Sequence, residues 1–339
     1  MEAMKTTAQV PMEVQYQPAW LTWVASATTC LRALGVDCDT ADVAGLTGYA
    51  FVTTVHDELC PSGPTMFDWG MLDHGINMLG RSTLVFSSSD CHTKDGRFGG
   101  EHTREHCRVA FELVAREVSE GRPCVLWGAY VPEFAVAVGV DDGKYLVRSF
   151  KEVTGDEQPP IAFDDLDAPG GPYVMAFPTA TNIRKGQLWG DCYAVGLAVQ
   201  LLNKPSAFRR YGTGLKAFDV WVRALEQNKA DPFGNAYNAQ CWAEARRLAR
   251  DFLARVAERN PAVADSVTRA HEAYVDSAAA MRRVAELFPF PAKDEVASAD
   301  NRQAAIAALR DAQAAETKAA AALMEAVETD WESAAAAAG

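Results

Sequence analysis

The spacing of apolar residues divides the first half of the chain into helices followed by strands. Apolar side chains recur every three or four positions along residues 22–36, which predicts a helix that ends at Gly35. Similar spacing predicts further helices over 39–48, 67–80 and 100–121. Short runs of strand-forming residues, several with period-two alternation, predict strands over 82–87, 123–130, 134–141, 144–150 and 171–177.

The pair Asp142-Gly143 stands between two of these strands and is a strong signal for a tight hairpin. Helices followed by an antiparallel run of strands are typical of the α+β class, in which helices pack against one sheet. We therefore predict an α+β domain with an antiparallel sheet over residues 1–180.

The second half of the chain has helical spacing throughout. It predicts five helices, over 190–204, 213–228, 238–260, 261–288 and 298–329. Each helix carries one apolar stripe and needs partners to bury it, so we predict an all-α helical bundle domain over residues 186–330. Residues 178–186 are the predicted hinge, and residues 331–339 are a predicted frayed tail.

Composition and charge narrow the classes of function. The 339 residues are 49% apolar and carry a net charge of −13, which argues against nucleic acid or an anionic membrane as partner. The sequence shows no apolar run of about 18 residues, no signal-peptide pattern and no CxxC pair among its eight cysteines. We therefore expect reduced thiols and a cytoplasmic location. No dinucleotide fingerprint or P-loop is present, and we expect no cofactor.

Five strings carry a resemblance to one known family. They are the helix end CLRALGV, then GLTGYAF (45–51), CPSGPTMFDWG (60–70), SEGRPCVLWGAYVPEFAVAVGVDDGKYLV (119–147) and YGTGLKAFDVWVRAL (211–225). Together they resemble the proteins related to butirosin biosynthesis protein H, which belong to the papain-like cysteine peptidase group. The resemblance implies a papain-like fold for the first domain and thiol chemistry. The butirosin protein itself is an acyltransferase that takes its acyl chain from a carrier protein.

The chain departs from this family at both catalytic positions. The resemblance places a cysteine at the start of the first helix, where the helix dipole and a histidine lower the pKa of the thiol. This chain has Trp20, Leu21, Thr22 and Trp23 there, and its Cys30 falls near the other end of the helix. Glu133 stands where the family has its histidine. Either the site is rebuilt from other residues, or the fold serves another purpose.

Cys60 is the best alternative thiol. It lies in a loop rich in glycine and proline, four residues after His56, so both side chains could line one cleft. In this hypothesis Cys60 is the nucleophile and His56 is its base. The competing interpretation is a loop cysteine held by tight turns.

Glu133 completes the candidate catalytic set as an orienting or amine-binding carboxylate. Strand alternation predicts that Glu133 and Asp141 share one face, above small residues. The competing interpretation is that Glu133 and Asp141 are charged residues at strand ends, exposed to water. The candidate substrate-binding residues are Trp23, Asp68, Trp69, Trp127, Tyr130 and Asp141, and ordinary core packing is the competing interpretation of the aromatic ones.

Residues 90–107 contain two cysteines and three histidines. His102 and His106 are four positions apart on one predicted helix face, and Cys91, His92 or Cys107 could complete a tetrahedral metal site. A solvated helix start explains the same residues, and their spacing matches no standard zinc motif. A metal site is therefore an alternative hypothesis, and we expect no metal.

These observations favour a small-molecule biosynthetic enzyme that acts on an amide, a thioester or an amine by acyl transfer or amide hydrolysis. The first rival is a catalytically silent binding protein of the same fold, and the second is a metal-dependent protein that uses residues 91–107. A small molecule is the expected partner. An acyl carrier protein and a second copy of the chain both remain open as further partners.

Overall fold

The protein is described by a computed structural model that covers residues 7–88, 103–181, 188–206, 208–292 and 298–331. The chain folds into two compact units. The first contains residues 1–43 and 79–183, and the second contains residues 44–78 and 184–339. The segment 44–78 therefore belongs to the unit that also holds the long helices.

The regular elements have the following bounds. The strands are β1 (Ala8–Gln9), β2 (Thr54–His56), β3 (Leu84–Ser87), β4 (Cys124–Trp127), β5 (Phe134–Asp141), β6 (Lys144–Arg148), β7 (Ile161–Ala162), β8 (Tyr173–Ala176) and β9 (Tyr211–Thr213). The helices are α1 (Thr22–Ala33), α2 (Thr40–Leu46), α3 (Met71–Met78), α4 (Arg104–Ser119), α5 (Lys151–Thr154), α6 (Leu188–Asn203), α7 (Leu215–Glu226), α8 (Pro232–Arg259), α9 (Ala264–Leu287) and α10 (Ala299–Glu328).

Across the described residues, the first unit is built on one antiparallel sheet of seven strands. The strand order is β3-β8-β4-β5-β6-β7, and β1 pairs with the distal end of β5. The turn between β5 and β6 has positive φ at both Asp142 and Gly143, as a tight hairpin requires. Phe134 to Val140 are all buried, so β5 is covered on both faces.

Two helices pack on this sheet. Helix α1 contacts β4 and β5, and its residues from Thr22 to Leu31 are buried on every side, as expected of a core helix. Helix α4 contacts β5 and β8 and buries one stripe that includes Phe111 and Val114. A capping box between Thr103 and His106 starts α4.

The second unit is dominated by α8, α9 and α10, which pack in antiparallel order. Gln240 of α8 donates to the carbonyl of Ala285, and His271 of α9 contacts the carbonyl of Arg250, so the two helices run in opposite directions. Helices α6 and α7 pack against α10. A two-stranded sheet of β2 and β9 completes the unit.

A buried ion pair joins the segment 44–78 to these helices. The side chains of Arg246 on α8 and Glu316 on α10 are 0% exposed. The guanidinium binds the carboxylate through Nε at 2.7 Å and Nη2 at 2.9 Å, and Ser277 of α9 donates to the same carboxylate at 2.7 Å. Arg246 also donates to the carbonyl of Val52 at 2.6 Å and to the hydroxyl of Thr53. One side chain thus ties three elements together just before β2.

The predicted α+β class, the antiparallel sheet and the helical C-terminal region are confirmed. Helix α8 begins six residues earlier than predicted, because Asp231 caps it and Pro232 fits its first turn. Strands β1, β2, β7 and β9 and helix α5 were not predicted. Trp331, in the predicted frayed tail, is buried and donates to the carbonyl of Ala326. Residues 182–186 of the predicted hinge and residues 332–339 of the tail lie outside the described residues. None of the described helices combines the length and apolar character that a membrane crossing requires.

Replacing Arg246 alone by methionine should lower the free energy of unfolding by about 3–5 kcal/mol, because the Glu316 carboxylate then stays buried without its partner. Replacing Glu316 alone by leucine should cost a similar amount for the reciprocal reason. The double variant Arg246→Met with Glu316→Leu should recover most of the loss. Urea unfolding of the four proteins measures this, and two single costs that simply add in the double variant would contradict it.

Candidate functional site

Cys60 lies in the loop that follows β2, in the second unit. Strand β2 pairs with β9 so that His56 is directly opposite Tyr211. Cross-strand neighbours of this kind have adjacent side chains, and the rings of His56 and Tyr211 meet edge to face at 5.0 Å between centroids. The register of this short sheet therefore brings Tyr211 beside the loop that carries Cys60.

The N-terminal half of α8 holds this loop. The amide of Asn238 donates to the carbonyl of Cys60 at 2.9 Å, and the backbone N–H of Asp231 donates to the carbonyl of Glu58 at 2.8 Å. Gly234 approaches the loop so closely that a Cβ atom there would lie 2.1 Å from the carbonyl oxygen of Leu59. Leu59 itself has a φ of 56°, a left-handed conformation that a leucine rarely adopts. The loop is thus fixed by packing rather than by its own preferences.

The thiol of Cys60 begins a short chain of polar contacts. Its Sγ lies 2.8 Å from Oγ of Ser62, and that hydroxyl lies 2.7 Å from Oη of Tyr211. The tyrosine oxygen is itself 3.9 Å from Sγ. Burial raises the pKa of Tyr211, so its hydroxyl stays protonated at neutral pH and can donate. Cys60 is half-buried.

His56 is near Cys60 but is held by other groups. Its Nδ1 accepts a hydrogen bond from the backbone N–H of Glu58 at 3.2 Å and lies 3.4 Å from Oδ1 of Asp57. Among the described residues, the hydrogen-bond partners of the Cys60 sulfur are Ser62 and Tyr211. The predicted role of His56 as base of Cys60 therefore needs a relay through Tyr211 or a rotation of the imidazole ring.

A cavity of about 410 Å³ opens beside Tyr211. It is lined by residues of the β2 and β9 ends, of α7 and of the loop that follows α7: Asp57, Glu58, Arg210, Tyr211, Val220, Arg223, Gln227 and Lys229. Arg210 spans both acidic residues, with contacts of 2.9 Å to Asp57 and 2.9 Å to Glu58. The hydrogen bond from Arg210 holds the pKa of Asp57 below its usual value. Both carboxylates are thus already paired with Arg210.

His56, Asp57 and Glu58 form the one group of potential metal ligands found among the described residues, with ligand atoms within 4.8 Å of one another. Arg210 occupies both carboxylates, and Nδ1 of His56 accepts a backbone N–H. A cation would have to displace the guanidinium, so this group fits an ion-pair network better than a metal site.

The two positions at which the chain departs from the papain-like pattern meet in the first unit. The hydroxyl of Thr22, at the start of α1, donates to Oε2 of Glu133 at 2.5 Å. The same hydroxyl accepts from the backbone N–H of Phe134 at 3.1 Å. Thr22 is 8% exposed, so the threonine is a buried link between α1 and the start of β5. Glu133 lies immediately before β5, whereas Cys60 and His56 belong to the second unit.

The predicted common face of Glu133 and Asp141 is wrong. The register of β5 against β6 shifts between Ala137 and Gly139, which marks a β-bulge. One extra residue reverses the alternation, so Asp141 lies on the face opposite to that of Ala137. Asp141 is exposed and accepts a hydrogen bond from Thr7 at 2.7 Å. Its exposure and this contact fit the interpretation of Asp141 as a charged residue at a strand end in water.

The aromatic candidates have structural partners. Trp127 donates to the carbonyl of Pro169 at 3.2 Å, and Tyr130 donates to that of Pro159 at 2.9 Å. Burial raises the pKa of Tyr130 to about 12. Trp69 stacks on Phe67 at 4.7 Å.

Two other substrate-binding candidates differ in their exposure. Trp23 is 0% exposed and belongs to the core of the first unit, where a substrate cannot reach its ring. Asp68 is exposed and accepts from the backbone N–H of Gly70 at 3.1 Å, which is an ordinary turn contact.

The alternative metal set is only partly described. Cys91, His92 and His102 lie outside the described residues. Nδ1 of His106 accepts the backbone N–H of Thr103 in the capping box of α4. Cys107 is buried, and burial raises the pKa of its thiol, which disfavours the thiolate that a metal binds. Both described members are therefore engaged in the start of α4.

Ser62, Tyr211 and the basic residues of the cavity were not predicted. Ser62 stands inside the CPSGP string, two positions from the predicted nucleophile, and this spacing was the available signal. Tyr211 stands in YGTG, where two glycines indicate non-helical backbone before α7. The pairing of β2 with β9 connects residues 155 positions apart, and no local pattern indicates it.

A scan against models of known protein families finds no match for this chain, and a search of curated proteins finds no significant match.

Replacing Gly234 by alanine should displace the Cys60 loop, because the new Cβ would overlap the carbonyl of Leu59. We expect a loss of about 1–3 kcal/mol in the free energy of unfolding and a change in the rate at which Cys60 is alkylated. Gly196 of α6 is the matched control, since a Cβ there meets no atom within 4 Å. Gly196→Ala should raise stability by up to about 1 kcal/mol and leave Cys60 unchanged. Equal stability and equal Cys60 alkylation in both variants would contradict the close-contact argument.

Proposed function

We propose that this protein is a small-molecule enzyme that forms an acyl intermediate on Cys60, with an amide or thioester as acyl donor and an amine or water as acceptor. The observation that carries the proposal is the chain of contacts from Cys60 through Ser62 to Tyr211, a residue that lines the cavity. A half-buried thiol with two hydroxyl neighbours beside a cavity is an arrangement suited to nucleophilic catalysis.

The reaction follows from these contacts. The Cys60 sulfur attacks the carbonyl carbon of the acyl donor, and the bond from that carbon to the amine or thiol leaving group breaks. The proton of the Cys60 thiol passes through the Ser62 hydroxyl to Tyr211, and Tyr211 gives its own hydroxyl proton to the leaving group. The incoming amine or water then attacks the thioester, and the proton that it loses returns along the same hydroxyl groups to restore the Cys60 thiol. Ser62 thus links the thiol to Tyr211.

The resemblance to the butirosin-type papain-like proteins supports the same class of reaction. It also keeps an acyl carrier protein as a proposed source of the acyl group. In this proposal the thiol has moved from the start of α1 to the loop after β2, and the chemistry belongs to the second unit.

A second candidate function is a catalytically silent binding protein. The observation that favours it is the hydrogen bond between Thr22 and Glu133. A threonine hydroxyl is a far weaker nucleophile than a thiolate, and a carboxylate is a weaker base than imidazole toward it. At the positions where a papain-like enzyme has its cysteine and histidine, this chain therefore has a pair suited to holding α1 against β5.

Incubation with butyryl-N-acetylcysteamine, a neutral thioester, should acylate Cys60, because the thiol can exchange with the thioester. Intact mass should increase by one butyryl group, and peptide mapping should place it on Cys60. Cys60→Ser should abolish the adduct, and Tyr211→Phe should slow its formation about tenfold through loss of the proton donor.

Cys192→Ser is the matched control for this experiment. Cys192 is also a half-buried thiol of the second unit, and burial raises its pKa. This variant should form the adduct at the wild-type rate. A wild-type protein that forms no adduct on Cys60, with intact folding, would favour the silent binding protein.

A further inference from the structure

The charges of the cavity beside Tyr211 are not balanced within it. Its lining has three cations, Arg210, Arg223 and Lys229, and two carboxylates, Asp57 and Glu58. Arg210 pairs with both carboxylates at 2.9 Å. Among the described residues, neither Arg223 nor Lys229 has an ion-pair partner within 4.0 Å. The three cations outnumber the two carboxylates by one, so the cavity lining carries a net positive charge. The chain as a whole carries a net charge of −13.

Arg223 and Lys229, the two cations without an ion-pair partner among the described residues, stand six positions apart around the end of α7. Arg223 lies in its last turn, and Lys229 follows its end, with its backbone N–H bound to the carbonyl of Ala224 at 2.9 Å. Both side chains are exposed, so a ligand can reach them. Gln227 adds an amide between them in sequence, and Val220 supplies an apolar wall. Cations and an amide on one wall, with an apolar surface nearby, suit a ligand with an anionic end and an organic body.

Tyr211 connects this cavity to the thiol. Tyr211 is one of the lining residues, and its hydroxyl lies 2.7 Å from Ser62 and 3.9 Å from the Cys60 sulfur. Tyr211 is therefore the residue that the cavity lining shares with the hydrogen-bond contacts of the thiol. The volume of about 410 Å³ accommodates a small organic molecule.

We infer that the cavity binds the anionic group of the substrate, a phosphate ester or a carboxylate, through Arg223 and Lys229, while its acyl carbon reacts at Cys60. The assignment of the anion to the substrate rests on the proposed function, whereas anion binding by the cavity does not. Charge-assisted hydrogen bonds from guanidinium and ammonium groups would supply the recognition.

Binding is tested with two simple probes. Inorganic phosphate is titrated by ³¹P NMR and acetate by ¹³C NMR, with the full chain as wild type, Arg223→Gln, Lys229→Gln and the control Lys318→Gln, an exposed cation of α10 outside the cavity. Each cavity variant should bind the preferred anion about fivefold more weakly, and added salt should weaken wild-type binding. The tighter probe identifies the anion class. Equal affinities in all four proteins would overturn the inference.

An acylation experiment distinguishes a failure of this inference from a failure of the proposed function. Succinyl-N-acetylcysteamine, whose acyl group ends in a carboxylate, should acylate Cys60 at least about fivefold faster than the neutral butyryl thioester. Arg223→Gln and Lys229→Gln should remove that preference, and Lys318→Gln should keep it. Equal rates for both thioesters, together with no anion binding that depends on Arg223 and Lys229, would overturn the inference and leave acylation at Cys60 standing. Anion binding that depends on these cations, without acylation of Cys60, would support the cavity and overturn the proposed reaction.

Discussion

The buried guanidinium of Arg246 is the constraint on which the second unit depends. An ionised arginine in the interior costs several kcal/mol unless its charge is paired and its N–H groups are bound. Here Glu316 supplies the charge, and Val52 and Thr53 accept further hydrogen bonds. These acceptors belong to α10 and to the segment before β2, so the charge is satisfied only when both are in place. The ion pair thus determines how α8, α10 and the segment before β2 pack together, more than it adds to the free energy of unfolding.

The candidate site follows from that arrangement over a short stretch of chain. Thr53 is one residue before β2, whose pairing with β9 sets His56 opposite Tyr211. Four residues after His56 the chain reaches Cys60, whose carbonyl is bound by Asn238, eight residues before Arg246 on the same helix. Helix α8 therefore fixes the segment at both ends of β2. A left-handed Leu59 and the close approach of Gly234 show that packing, not local preference, determines the loop.

Local patterns predicted the elements well and the site only in part. Apolar periodicity located the described helices except the short α5, and the strands of the large sheet except the two-residue β1 and β7. Both kinds of element depend on neighbouring residues. The bulge after Ala137 has no clear sequence signal, and it moved Asp141 to the other face. Cys60 was identified from its residue type and its Gly/Pro loop. Tyr211 and the cations of the cavity were missed because strands β2 and β9 are short and far apart in sequence. Segment 44–78 belongs to the helical unit, and Arg246 binds it there. No local pattern indicates that Arg246 is buried, because it stands in a charged stretch of α8.

The central claim is that the fold makes Cys60 the reactive thiol of the described residues. The most direct measurement is the rate of iodoacetamide alkylation at each cysteine at neutral pH, followed by peptide mass spectrometry. Cys30, Cys38, Cys124 and Cys241 are buried, and burial raises the pKa of Cys192, so each should react slowly. The account predicts that Cys60 is alkylated at least about tenfold faster than Cys192. A Cys60 rate equal to or below that of Cys192 in the folded protein would contradict it.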